Sequence, residues 1–232
     1  MLEIGPGRGA MTRLLVERFP GVRAIEVDAG LARALPAALG NPPGLEVIGA
    51  DALSADLDVL AAGGPWQIVG NLPYSVGTAI LRRLLPRGEL FPIIVVMLQL
   101  EVAERIVAPP GERSRGLLTL EVEGFAEAEL LFSVPPRCFE PPPRVMSAVL
   151  HLRLRQAGER SPHLARAFAL AATAFTLRRK KITNALAAAA PAPALLGALT
   201  AAAIDPSSRP EDLTLAQWLA LGEALAAGIS LQ

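Results

Sequence analysis

The segment Gly5-Pro6-Gly7-Arg8-Gly9 restricts this chain more than any other. It separates a short apolar run, Leu2-Glu3-Ile4, from a helical pattern that begins at Ala10. Glycines at alternate positions let the backbone turn sharply and let a ligand approach the main chain. Strand, glycine turn and helix, in that order, open an α/β fold with a parallel sheet. The spacing is GxGxG rather than the dinucleotide GxGxxG. No Lys-Ser/Thr pair follows, which disfavours a nucleoside triphosphate.

The same alternation continues downstream. Strands are predicted at Leu2–Gly5, Val22–Val27, Leu45–Ala50, Gln67–Asn71 and Ile93–Leu98. Helices are predicted near Ala10–Phe19, Gly30–Leu39, Val76–Leu85 and Glu101–Val107. Two later β runs, Glu127–Val134 and Ser147–Leu154, are joined by a proline-rich loop without a strong helical pattern, and read as an antiparallel pair at the sheet edge. From about Gln156 the texture becomes alanine-rich and helical: Pro162–Arg178, Arg179–Ala190, Ala194–Ala203 and Leu215–Ala227. Asp205-Pro206-Ser207-Ser208-Arg209-Pro210 reads as a turn, and Thr214 as the cap of the last helix. The expected organisation is a ligand-binding domain over residues 1–155 and a small helical domain over residues 156–232.

Composition narrows the function classes. Hydrophobic residues make up 52%, enough for a substantial core. The single cysteine, Cys138, excludes an internal disulfide. There are only two histidines, His151 and His163, and no cluster with zinc-ligand spacing, so no metal is expected. The uncharged stretch from Asn184 to Ile204 is mostly alanine and is broken by Pro191 and Pro193, so it reads as small packed helices rather than a membrane span. The chain opens directly on a strand with no basic leader. Net charge is zero, but residues 1–136 carry −5 and residues 137–232 carry +5, an asymmetry that can mark a face for nucleic acid.

Three further motifs follow strand ends. Glu26 ends the second strand roughly 20 residues after the glycines, where a carboxylate can accept ribose hydroxyls. Asp51-Ala52 ends the third, where an acid can accept a hydrogen bond from an adenine amino group. Asn71-Leu72-Pro73-Tyr74 ends the fourth. An exocyclic adenine amine is a poor nucleophile because its lone pair is delocalised into the ring. Two acceptors gripping its hydrogens favour the pyramidal form that can attack. The Asn71 side chain and the Leu72 carbonyl can serve as those acceptors. Pro73 holds Leu72 in extended geometry, and the Tyr74 ring can stack on the base. The phenol is assigned no proton transfer. Between the last two strands, Phe139 offers a second stacking face within Cys138-Phe139-Glu140-Pro141-Pro142-Pro143-Arg144-Val145. Arg178-Arg179-Lys180-Lys181 is the sequence's only run of four basic residues, suited to phosphate or equally to a solvated helix face. Each motif alone has such a plain structural explanation; the ordered series is far more specific.

Together, Glu3–Thr12, Glu26, Asp51-Ala52, Asn71–Tyr74, Leu98–Arg105, Phe139–Val145 and Arg178–Leu186 resemble the KsgA/RsmA family of small-subunit (16S) rRNA adenine N6,N6-dimethyltransferases. The resemblance covers nearly the whole chain. It implies a class I S-adenosylmethionine methyltransferase fold, Rossmann-like, with a mixed seven-stranded sheet and a small C-terminal helical domain. It implies methyl transfer from S-adenosylmethionine to N6 of two adjacent adenosines in a hairpin loop near the 3′ end of small-subunit rRNA. Glu3, Gly5, Gly7, Gly9, Glu26, Asp51, Ala52 and Asn71 would bind the cofactor. Asn71, Leu72, Pro73, Tyr74 and Phe139 would hold the target adenine. Arg144, Arg178, Arg179, Lys180 and Lys181 would contact RNA. The implied setting is a cytoplasmic monomer acting on a pre-assembled 30S particle, with no membrane and no metal. The chain departs from the family at Leu100, where lysine is common, and in lacking a segment before the first strand that helps close over the cofactor. Protein-glutamine N5 methyltransferases share an Asn-Pro-Pro-Tyr-type motif but not the Phe139 loop or the basic tail. Macrolide-resistance methyltransferases of large-subunit rRNA share both principal motifs. A non-catalytic ribosome-assembly factor is the alternative outside the enzymes.

Overall fold

The computed structural model describes residues 1–229, with side-chain burial to residue 226. Two compact units emerge: Met1–Ala103 with Ala126–Gly158, and Glu104–Phe125 with Glu159–Gln232. A single cut near residue 156 therefore does not describe the division, because residues 104–125 group with the helical unit although they precede two strands of the sheet.

The first unit is a seven-stranded sheet. In chain order it contains β1 (Leu2–Ile4), α1 (Ala10–Arg18), β2 (Val22–Glu26), α2 (Ala29–Ala38), β3 (Leu45–Gly49), α3 (Leu57–Leu60), β4 (Ile68–Asn71), α4 (Gly77–Leu84) and β5 (Ile93–Gln99). After α5 (Leu100–Ile106) and α6 (Leu117–Phe125), the sheet resumes with β6 (Ala126–Val134) and β7 (Ser147–Leu154). The strand order is β3-β2-β1-β4-β5-β7-β6. Strands β1 to β5 pair in parallel, whereas β7 is antiparallel to both β5 and β6. The mixed seven-stranded sheet and its terminal hairpin match the expectation.

The inner strands are apolar because the sheet is covered there, whereas the edge strands β3 and β6 are mostly not buried. Leu2, Ile4, Ala24, Ile25, Ile68, Ile94, Val96, Leu150 and Leu152 are all buried. Near-continuous apolar runs are what a sheet covered on both faces demands. Asp28 starts α2 by accepting from the N–H groups of Gly30 and Leu31, and Asp56 does the same for α3 from Asp58 and Val59. The sequence reading missed α3, a four-residue turn, and α6.

The second unit contains α6 with α7 (Leu164–Phe175), α8 (Ile182–Ala185), α9 (Ala192–Ala201) and α10 (Leu215–Ile229). Its core surrounds Trp218, which is fully buried, with Leu170, Leu186, Leu199, Leu213 and Leu221. Small residues such as Ala167, Ala171, Ala174, Ala185 and Ala198 complete it, which lets helices approach closely. This accounts for the alanine-rich composition. Thr214 and Gln217 form a reciprocal cap: Gln217 N–H donates to Thr214 Oγ1 at 3.2 Å, and Thr214 N–H to Gln217 Oε1 at 3.0 Å. Ser207 N–H donates to Asp205 at 2.8 Å, closing the expected turn. Buried Arg115 makes a two-pronged pair with Glu123 at 2.6 and 2.7 Å and donates to the Ala108 carbonyl at 2.8 Å, so its charge is balanced and hydrogen-bonded. No helix among the described residues is long and apolar enough to cross a membrane.

Candidate active site

The order β3-β2-β1-β4 sets four parallel strands side by side, so the segments after their carboxyl ends lie along one edge. Those segments carry Asp51, Glu26, the glycine turn and Asn71. Chain connectivity reverses between β1 and β4, the place where open α/β sheets bind ligands.

Gly5, Gly7 and Gly9 all have positive φ, at 72°, 57° and 82°. Side chains rarely adopt this conformation, which explains the glycines independently of any ligand. At Gly9 a Cβ would also sit 2.5 Å from Leu35. Glu26 braces the turn. Its Oε2 accepts the Gly7 N–H at 3.0 Å, and its Oε1 accepts the Asp28 N–H at 3.0 Å. Each oxygen retains a further lone pair for a ligand hydroxyl.

Glu3, on β1 just before the turn, is buried, with Oε2 lacking a hydrogen-bond partner. Burial pushes its carboxyl above the ordinary value; the adjacent Thr12 hydroxyl opposes this and the Glu26 charge adds to it. Thr12 Oγ1 lies beside the carboxyl without meeting full hydrogen-bond geometry.

Asp51 is exposed, and its side chain accepts the Leu53 N–H at 2.8 Å. Arg83, on α4, was missed by the sequence reading. It donates to the Ala52 carbonyl at 2.8 Å and also to the Ala55 carbonyl, fixing the loop after β3. Its sequence signal is weak, because nothing distinguishes it from the neighbouring Arg82.

Asn71 is exposed at the end of β4, and Leu72, which follows it, is buried. The Pro73 carbonyl accepts N–H groups from Val76 and Gly77, at 3.1 and 2.8 Å, and so starts α4. A Cβ on Gly77 would come within 2.6 Å of Leu98 and 3.2 Å of Leu72, so glycine permits the close packing that seats the motif. Tyr74 is partly buried, and its hydroxyl lies 2.6 Å from Ser147 Oγ on β7. Asn71, Leu72, Pro73, Tyr74, Phe139, Pro141 and Pro143 line one cleft of about 230 Å³. The two aromatic residues chosen from distant parts of the sequence thus share a cavity. The Glu140-Pro141 peptide in its wall is cis. Arg144 is exposed on the same loop.

A ribosomal RNA adenine dimethylase family model matches residues 1–227. The chain belongs to this family. Among its relatives, "Ribosomal RNA small subunit methyltransferase A" of Dinoroseobacter shibae is 42% identical, covering 98% of this chain and 82% of that protein. The protein of the same name from Acidithiobacillus ferrooxidans is 40% identical, covering 97% and 83%. Among solved structures, the 23S rRNA methyltransferase ErmE is similar with a TM-score of 0.73 and 30% identity, covering 97% of this chain and 90% of that one. A dimethyladenosine transferase from Plasmodium falciparum shares the fold, with a TM-score of 0.80 and 22% identity over 95% of this chain and 87% of that one. The fold is thus that of the dimethylase family, a class I, Rossmann-like methyltransferase.

In the second unit of this dimethylase, the basic run lies elsewhere than expected. α7 ends at Phe175 and α8 begins at Ile182, so Arg178–Lys181 occupy the turn between them rather than a helix face. At the end of α7, Thr176 Oγ1 donates to the Thr173 carbonyl at 2.7 Å. Arg178 is exposed but tied to neighbouring main chain. It donates to the carbonyls of Arg113 and Arg115 and lies 5.9 Å from the Phe175 ring centroid. Arg179, Lys180 and Lys181 are exposed, and a cleft of about 370 Å³ runs along residues 175–180.

Proposed function

We propose that this chain uses S-adenosylmethionine to dimethylate adenine N6 in small-subunit ribosomal RNA, and that the residues at the ends of β1 to β4 perform the reaction. The observation that carries the residue assignment is the single cleft bringing Asn71, Leu72 and Tyr74 together with Phe139.

The cofactor suits the residues present. The turn after β1 exposes main chain with open space above Gly7, and Glu3 Oε2 is a buried acceptor without a partner beside it. Glu3, Gly5, Gly7, Gly9, Glu26, Asp51, Ala52 and Asn71 would hold the group. When bound, S-adenosylmethionine supplies a methyl group carried on positively charged sulfur. The ribose hydroxyls suit Glu26 and the adenine amine suits Asp51.

The target adenine must leave its stack to enter the cleft. Tyr74 and Phe139 take its two faces, each stack worth about 1–3 kcal/mol. The Asn71 side-chain oxygen and the Leu72 carbonyl accept from N6, holding the amine pyramidal with its lone pair free. This is catalysis by positioning and by fixed dipoles. Arg144, Arg179, Lys180 and Lys181 serve RNA phosphates. The finer reading is a monomeric cytoplasmic enzyme that acts on two adjacent adenosines in a hairpin near the 3′ end of the rRNA, within a pre-assembled 30S particle.

The similarity to ErmE favours one competing reading, in which large-subunit rRNA is the substrate. The greater identity to small-subunit enzymes outweighs it. Incubating the protein with labelled S-adenosylmethionine and each undermethylated subunit separates the two. The expected product is N6,N6-dimethyladenosine in small-subunit rRNA. Label confined to large-subunit rRNA overturns the proposal.

A further inference from the structure

We infer that Ser147 is a positioning residue for the target base, acting through the hydroxyl of Tyr74. The inference rests on the reading of Tyr74 as a stacking face.

Ser147 is the first residue of β7 and is fully buried. Its main chain is held from both sides, in register with Gln99 of β5 and Val134 of β6. The rest of the strand supplies apolar side chains, with Ala148, Leu150, Leu152 and Leu154 all buried. An alanine at residue 147 would suit that environment without a polar group to satisfy. The serine hydroxyl instead meets the Tyr74 hydroxyl at 2.6 Å, within the short part of the O–H···O range.

Tyr74 follows β4 on a loop, and two side-chain torsions set the tilt of its ring. A phenol tethered to a fixed strand removes that freedom before RNA arrives, so less ordering remains to be done on binding. The opposite wall is tied to the same strand. Phe139, Pro141 and Pro143 belong to the loop that runs directly into Ser147. Both walls of the cleft are therefore referenced to the start of β7. A phenol with no proton to transfer still has a task, and phenylalanine is not equivalent to tyrosine here.

The test compares Ser147→Ala, Tyr74→Phe, their combination, Ser147→Thr and Tyr74→Ala in the full chain. The readouts are affinity for a target RNA hairpin, KM for RNA, KM for S-adenosylmethionine, kcat and thermal unfolding. Ser147→Ala and Tyr74→Phe should each weaken RNA binding or turnover roughly two- to tenfold, the effect of one typical hydrogen bond. Affinity for S-adenosylmethionine should stay unchanged. The double variant should be no worse than the poorer single one, because both remove the same interaction. Ser147→Thr keeps the hydroxyl and should recover part of the loss. Additive penalties, wild-type behaviour of Tyr74→Phe, or equal losses toward RNA and cofactor would overturn the inference. If Tyr74→Ala itself leaves RNA affinity and turnover intact, the stacking reading fails first. If Tyr74→Ala is impaired and Tyr74→Phe is not, only the role of Ser147 fails.

Discussion

Glu26 Oε2 accepts the main-chain N–H of Gly7 at 3.0 Å, tying the end of β2 to the turn that follows β1. One carboxylate thereby shapes the turn proposed to hold the cofactor and keeps lone pairs for ligand hydroxyls. Glu26→Ala removes both functions. A hydrogen bond to a charged group contributes about 1.5–3 kcal/mol, so S-adenosylmethionine affinity should fall roughly tenfold or more. Calorimetric titration of a folded variant checks this, and unchanged affinity would remove Glu26 from the site.

Glu3 yields a pH dependence. Its carboxyl is held above the ordinary value of 4.5, chiefly by burial. The folded protein thus binds this proton more tightly than the unfolded chain. Stability from this group is fully present below the unfolded value and is lost as pH rises through the raised folded value. At neutral pH the buried charge is a cost. Glu3→Gln should raise the melting temperature by a few degrees at neutral pH, with the gain vanishing in acid. The same change should weaken cofactor binding, a trade between stability and function. A variant less stable than wild type at every pH would contradict the reading.

The basic turn divides into two roles. Arg178, Arg179 and Lys180 are all exposed, and Arg178 in addition donates to the Arg113 and Arg115 carbonyls. Charge reversal at Arg179 and Lys180 should weaken small-subunit binding and leave cofactor affinity intact. Each lost phosphate contact should lower the slope of log affinity against log salt by roughly 0.7–0.9. Arg178→Ala should instead lower stability. An unchanged slope in the reversed variant would make the run a solvated turn and nothing more.

Much of this was legible in the sequence because it is local. The inner parallel strands are legible as apolar runs, and Asp51, Glu26, Gly5–Gly9 and Asn71 stand at strand ends that a parallel sheet must gather. What the sequence does not show depends on tertiary partners. α6 is buried at Leu118, Thr119, Leu120, Val122 and Gly124, so it shows no clean helical stripe, and it runs into β6 without a linker. Arg83 and Ser147 act through a carbonyl and a hydroxyl distant in sequence, and residue type alone gives no hint of either. The turn at Arg178–Lys181 was read as helix because its residues are good helix formers, whereas the side-chain bond of Thr176 to Thr173 accompanies the stop at Phe175.

The central claim is that Asn71 grips the adenine amine during transfer. Asn71→Ala removes one proposed acceptor and leaves Tyr74 and Phe139, the two aromatic walls, in place. The decisive measurement is the ratio of N6-methyl to N6,N6-dimethyladenosine in digested small-subunit rRNA, taken at matched enzyme occupancy. A monomethylated amine has one hydrogen left to hold, so the second transfer should suffer more than the first. Removing one oriented donor or acceptor from an active site typically costs about 10²–10³ in turnover. The account predicts a loss of that order in turnover, measured at saturating cofactor, with accumulation of the monomethyl product. A folded Asn71→Ala variant with the wild-type rate and the wild-type product ratio would contradict it.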